Sequence, residues 1–305
     1  MNPTGPLPAP DHPSDAAASR WFRARWEALA RRSFPGRTGL KLLLLSLVTL
    51  VVLYPHPVFL IKQVQHLADV ESLIQPGLPA MAEINRDINK LLPTNSTPQK
   101  EFQIVERYVY QKIKYQYDWY NWGNLDYWPT AAEVWERKRE DCDGRAVLAA
   151  SILRARGFKT ARIVANLNHV WVAVDQVELM GPQADKNFRK EGGKVVISFP
   201  AFKTILDTMA QLSKFPVLRS LIIFFTAVGL LYHPCRNLTG FFISTTVGLA
   251  GFGLLLDWSG MQMSGDSKGV DFNFVAGIAL LAAAALLALG MNRILARRAA
   301  SRPVG

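Results

Sequence analysis

Four apolar stretches without a charged residue constrain this chain more than any other feature: Leu42 to Ile61, Ser220 to His233, Asn237 to Leu256 and Phe272 to Asn292. A helix needs roughly 20 apolar residues to cross the hydrocarbon core of a bilayer. The first, third and fourth stretches meet that length directly. The second meets it by taking in Phe215 to Leu218, with Arg219 snorkelling toward the interface. Four spans are therefore expected. Half the residues are hydrophobic while the formal net charge is +11, a pairing that suits a membrane protein better than a soluble enzyme.

The basic residues fall where membrane topology puts them. Arg20, Arg23, Arg25, Arg31, Arg32, Arg37 and Lys41 precede the first span, and Arg293, Arg297 and Arg298 follow the last. The positive-inside rule then places both termini in the cytoplasm of a multi-pass inner-membrane protein, and Lys62 to Lys214 outside it. The acidic loop holding Asp257, Asp266 and Asp271 falls on the same outer side. This distribution argues against nucleic acid as a partner and for membrane lipid. The first span ends in Tyr54-Pro55-His56-Pro57 without a small-residue cleavage site, so it reads as an uncleaved signal anchor.

The expected organisation is a basic cytoplasmic tail (1–38), a signal anchor (39–62), an extracytoplasmic domain (63–200), an interfacial helix (201–214), three spans (215–293) and a second basic tail (294–305). The chain has two cysteines. Cys235 falls in a turn that this topology places on the cytoplasmic side, so Cys142 is expected to be a free thiol.

Met1 to Asp15 is rich in Pro, Ala and Ser and reads as disordered. Ala16 to Arg32 reads as an amphipathic helix, with Trp21, Phe22, Trp26 and Leu29 resting on an anionic membrane surface. Leu67 to Leu92 is helical material interrupted by Pro76 and Pro79. Ser96 or Thr97 can cap a helix with Pro98 at its first position, burying Phe102, Val105, Val109 and Ile113. Thr130 and Glu133 have capping-box spacing ahead of a short helix. Val147, Leu148, Ile152 and Leu153 give helical periodicity that begins at Cys142, and Gly157 stands where it would end. Thr160 to Leu167, His169 to Asp175 and Lys194 to Phe199 read as strands. Ala201 to Ser213 reads as an amphipathic helix facing lipid through Phe202, Ile205, Leu206, Met209 and Leu212.

A cysteine at a helix N-terminus faces unpaired N–H groups and the positive end of the helix dipole, which favour its thiolate. A histidine brought in from elsewhere can pair with it and move the proton. Of five histidines, His12, His56 and His233 lie in the tail, the first span and the end of the second. His66 lacks an element to aim it, which leaves His169 at the head of a strand. The competing reading makes Cys142 a packing residue and His169 a hydrogen-bonded strand residue. One cysteine and one histidine do not complete a zinc site, and no cofactor is expected. Asp141 and Asp143 read as caps of the cysteine helix. Trp119, Tyr120, Trp122, Tyr127 and Trp128 read as a substrate groove or as interfacial anchors.

Glu133-Val134-Trp135-Glu136-Arg137-Lys138-Arg139-Glu140-Asp141-Cys142-Asp143-Gly144-Arg145-Ala146, followed by Leu153-Arg154-Ala155-Arg156-Gly157, resembles the cysteine block of the transglutaminase-like superfamily. His169-Val170-Trp171-Val172 resembles its histidine strand. The resemblance covers roughly Ser96 to Phe199. It implies an α+β fold with a papain-like core, a cysteine-bearing helix packed on an antiparallel sheet, inserted here between transmembrane helices. It further implies Cys142 as nucleophile and His169 as general base and acid, acting on extracytoplasmic proteins or peptides as a cysteine peptidase, amidase or acyltransferase. Hydrolysis is the favoured outcome. The superfamily usually shows an Asp-Pro pair on the strand after the histidine, whereas Leu179-Met180-Gly181-Pro182 has Gly there. Asp185 is the leading substitute as third member, with Asp175 and Glu178 behind it. The alternative is a binding module or membrane scaffold that keeps the fold without turnover.

Overall fold

The computed structural model describes residues 13–165, 169–181, 188–191, 194–197, 201–233, 237–266 and 269–300. These residues are mostly helical, with three small sheets. Three helices are long and apolar enough to cross a membrane: α2 (Phe34–Leu53), α11 (Leu238–Ser264) and the Phe272–Met291 part of α12 (Phe272–Ala300). A fourth span is available if Ile205–Lys214 and α10 (Val217–Tyr232), which meet at a 114° bend, are taken together.

The chain divides into two compact units. One comprises Met1–Thr49, Leu221–Leu254 and Val275–Gly305. Within it α1 (Pro13–Ala30) begins at Pro13, so the described part of the stretch read as disordered is helical. The ring of His233 meets Trp26 edge-on at 4.3 Å, and its Nε2 donates to Trp26 O at 3.0 Å. Lys41 Nζ donates to His233 O at 2.6 Å. A Cβ on Gly251 of α11 would lie 2.8 Å from Gly277 O of α12. The two backbones thus approach at glycines, as apolar helices do where small residues permit close van der Waals packing.

The other unit comprises Leu50–Ser220 and Leu255–Phe274. The helix read as one anchor over 39–62 is broken here. Pro55 and Pro57 end α2 at Leu53 and start α3 (Pro57–Ala68), because proline cannot donate to an existing helical ladder but suits a first turn. His56 therefore stands at the N-cap position of α3 instead of inside a span, and its backbone exchanges two hydrogen bonds with the side chain of buried Asn124. One face of α3 is locked to the domain. Gln63 donates to Asp126 and accepts from Trp128 N, and His66 Nδ1 donates to Trp128 O at 2.6 Å. The other face presents Val58, Ile61, Val64 and Leu67, each at least half exposed.

The core of this unit gathers α4 (Met81–Leu91), α5 (Pro98–Lys112), α7 (Ala131–Arg137) and α8 (Cys142–Ala155). Thr97 caps α5 through Lys100 N, with Pro98 in the first turn, and the expected stripe Phe102, Val105, Val109 and Ile113 is buried. The Thr130–Glu133 capping box is present in both directions at the start of α7. Helix α8 is buried almost throughout, from Ala146 to Leu153, and ends at Gly157, whose φ of +97° is a left-handed cap.

Helix α8 packs on an antiparallel sheet of order β3 (Arg162–Ala165), β4 (Val170–Val174), β5 (Val177–Leu179). Strand β4 is buried at every position, consistent with a central strand covered on both faces. The third expected strand takes part elsewhere: Lys194–Ile197 pairs with Phe188–Glu191 in a separate two-stranded sheet. Strand β2 (Arg139–Glu140) pairs in parallel with β1 (Lys114–Tyr115) just ahead of α8. In α9 (Ala201–Met209), Ile205 is exposed but Leu206, read as facing lipid, is buried.

Candidate functional site

Cys142 is the first residue of α8, and Asp141 before it accepts from Asp143 N at 3.4 Å. The cap role expected of Asp141 is therefore present. The Val170 backbone N–H lies close enough to the Cys142 sulfur to favour its charged form in part. Since Val170 follows His169, the head of β4 stands at the N-terminus of α8, and the structure brings the two elements carrying the expected pair together. His169 Nε2 lies 2.8 Å from Met180 O, and its ring stacks on Trp171 at 6.1 Å with 14° between planes.

Asp185 lies outside the described residues, as does Cys235. Asp175 sits in the turn that closes β4 onto β5, where Val174 pairs with Val177. At about 3.3 Å per residue it stands ~20 Å along the strand from His169, so it cannot orient the ring. Glu178 pairs with Ala173, four residues from His169 along β4.

The expected thiolate is also overturned. Burial, with Asp141 beside the sulfur as the next cause, pushes the Cys142 thiol up to about 12. Desolvation disfavours the charged form, and a neighbouring carboxylate disfavours it further.

Sequence reasoning read Asp141 and Asp143 as helix caps and missed that Asp118 and Glu140 join them beside this sulfur. Asp118, Glu140, Asp141 and Asp143 each place a carboxylate oxygen within 4.8 Å of the others, and Asp118, Glu140 and Asp143 are buried. Two short pieces of chain produce the arrangement. Helix α6 (Asp118–Asn121) and Trp122 wrap over the Arg139–Glu140 strand. Asn121 Nδ2 and Trp122 Nε1 both donate to Glu140 Oε1, at 2.7 and 2.6 Å, and Tyr127 N donates to Asp118 Oδ2 at 2.6 Å. Asp118 Oδ1 and Glu140 Oε2 are buried without a hydrogen bond. Among the described residues none of the four acids lies within ion-pair distance of a Lys or Arg. So many carboxyls in so small a space are kept together by protons or by a cation, and their hard oxygens are the donor type for a divalent ion such as calcium. In the protonated case burial pushes Glu140 up to about 8 and holds Asp118 and Asp143 well above the usual carboxylate range, Asp141 adding to each. The sequence signal was the local density of acids at Glu140-Asp141-Cys142-Asp143. Asp118 carries no such signal.

The aromatic residues are mainly structural. Trp119, Trp122 and Tyr127 are buried, and only Tyr120 of the group is largely exposed. Trp119 Nε1 donates to Lys214 O at 3.1 Å, and its ring meets Phe215 at 5.6 Å. Around the cysteine, Arg145 follows one turn later on α8, donates to Ile113 O at 2.6 Å and faces the half-exposed rings of Tyr115 and Tyr110 at 5.0 and 5.2 Å. No family description, curated protein or solved structure matches the chain.

Proposed function

We propose that the chain is a membrane-held cysteine enzyme with a papain-like core that opens amide or ester bonds of extracytoplasmic proteins or peptides. The observation that carries this reading is the packing of β4 on α8, with the Val170 backbone N–H beside the Cys142 sulfur and favouring its charged form, so that the His169 end of β4 lies by the first turn of α8. In the proposed reaction His169 takes the thiol proton as the sulfur attacks the substrate carbonyl carbon. The tetrahedral adduct collapses to a thioester, the C–N or C–O bond breaks, and the imidazolium returns its proton to the leaving group. Water, deprotonated by the same imidazole, then attacks the thioester, releasing the acid and restoring the thiol. Backbone N–H groups in the first turn of α8 are suited to the developing oxyanion.

A second reading, a binding module without turnover, draws support from the raised Cys142 thiol. One experiment separates them. The full chain in micelles is treated with a peptidyl vinyl sulfone, a thiol-directed activity probe, and compared with Cys142→Ala in a Cys235→Ser background and with His169→Ala. The enzyme reading expects labelling that is abolished by Cys142→Ala and sharply slowed by His169→Ala. Labelling that persists without Cys142, or that ignores His169, overturns it. A folded wild-type chain that no such probe labels supports the binding module.

A further inference from the structure

We infer that the backbone carbonyl of Met180 orients the imidazole of His169, holding the place that a carboxylate side chain holds in the enzymes the sequence resembles. The inference rests on the proposed reading of Cys142 and His169 as nucleophile and base.

His169 Nε2 and Met180 O are 2.8 Å apart. A carbonyl oxygen only accepts, so Nε2 carries the proton and the contact selects one tautomer, with the lone pair on Nδ1. That is the service a third catalytic member performs: it fixes the tautomer and the plane of the ring. The carbonyl is itself held in place. Met180 directly follows β5, whose register sets Leu179 opposite Val172. It is buried, and its φ is +60°. A non-glycine residue in the left-handed region is strained and persists where its surroundings over-determine it. Here that conformation accompanies a carbonyl directed at the ring. The indole of Trp171, fully buried, stacks on the same imidazole, so the ring is fixed at its edge by an acceptor and on its face by an aromatic plane.

The arrangement accounts for the one place where the sequence departs from the resemblance. The segment Leu179-Met180-Gly181-Pro182 lacks the expected aspartate, and the same segment supplies the acceptor from its main chain. A neutral carbonyl orients the ring as a carboxylate does but lends the imidazolium less charge stabilisation. Met180 is thus a positioning residue that acts through His169.

The test uses the full chain in lipid nanodiscs with 15N-labelled histidine, the His169 signals being assigned by their loss in His169→Gln. The expected spectrum shows the Nε2-protonated tautomer. Replacing Gly181 by glycolic acid turns the Met180–Gly181 amide into an ester, whose carbonyl is a poorer acceptor. The expected result is a shift of the Nε2–H resonance and a fall in the vinyl sulfone labelling rate of about tenfold, with probe affinity retained. Asp185→Asn and Glu178→Gln leave both readouts in place. An Nδ1-protonated tautomer, a spectrum indifferent to the ester, or a tautomer that changes with Asp185→Asn overturns the inference. Absent labelling combined with the expected tautomer and ester response overturns the enzyme reading while supporting the link between His169 and Met180.

Discussion

Gly144 stands two residues past the cysteine, inside α8, at a position where helix geometry alone would favour alanine by about 1 kcal/mol. A Cβ there would lie 2.6 Å from Glu140 Cγ, 2.9 Å from Glu140 Cδ and 2.9 Å from Pro129 Cγ. Carbon atoms at rest keep about 3.5 to 4.0 Å, so three contacts are each too close by more than about half an ångström. Neither neighbour yields easily. Glu140 is fully buried with Oε1 fixed by Asn121 and Trp122, and Pro129 is a ring. Overpacking of this kind costs about 1 to 3 kcal/mol. Less the gain in helix propensity, Gly144→Ala should destabilise the domain by up to about 2 kcal/mol, a fall of up to about 8 °C for a domain of ~150 residues. Thermal unfolding of the full chain in micelles, followed by tryptophan fluorescence, reads this directly. Adding Glu140→Ala removes two of the three clashes, so the double variant should be less unstable than the sum of the singles. A Gly144→Ala chain that melts at or above the parent, or costs that simply add, refutes the steric argument.

The buried acids give an inverted pH dependence. Glu140 holds its proton up to about 8 in the folded chain against 4.5 ordinarily, so between these values the folded state binds a proton that the unfolded state has lost, and stability falls as pH rises through that window. In chelator, melting should be highest near pH 5 and decline toward pH 8.5, with a shallower slope in Glu140→Gln; a slope unchanged by that substitution counts against the assignment. Thr130→Ala, which removes the capping box of α7, should cost about 1 kcal/mol; an unchanged denaturant midpoint would show the cap to be idle. A spin label at Ile61→Cys, on the exposed apolar face of α3, should be relaxed by lipid-soluble oxygen more than by a water-soluble nickel chelate in nanodiscs. The opposite ranking would place that face in water.

Local signals made the helices of the domain legible. The Thr97-Pro98 start, the Thr130–Glu133 box and the Cys142-to-Gly157 span each carry their own caps, and the caps are where the chain puts its helix ends. The break between α2 and α3 was readable in Pro55 and Pro57 but was masked by an apolar run that continues to Ile61. Periodicity found β4, whereas the pairing of Lys194–Ile197 with Phe188–Glu191 depends on chain reversal that no short pattern encodes. At the site, the cysteine and histidine stood out by residue type. The Met180 carbonyl could not, because a main-chain acceptor has no letter of its own. Asp118 reaches Glu140 and Asp143 from a helix of four residues, a tertiary approach across more than twenty positions of sequence.

The state of Cys142 shows how magnitudes decide between two correct principles. A helix N-terminus stabilises a nearby negative charge by about 0.3 to 1 kcal/mol, and up to ~2 kcal/mol in favourable buried geometry. Burial together with Asp141 raises the thiol from 9.0 to about 12, which corresponds to about 4 kcal/mol against the thiolate. Burial exceeds the dipole and favours the protonated thiol, even though the sulfur heads a helix and has the Val170 N–H beside it. On the proposed reading, the chain cannot then store a reactive thiolate and wait for substrate. The proton must leave as the carbonyl arrives, which makes the orientation of His169 the step on which turnover depends. A base that must act within the attack itself has to be aimed beforehand, and a ring pinned at Nε2 by Met180 and stacked on Trp171 is aimed.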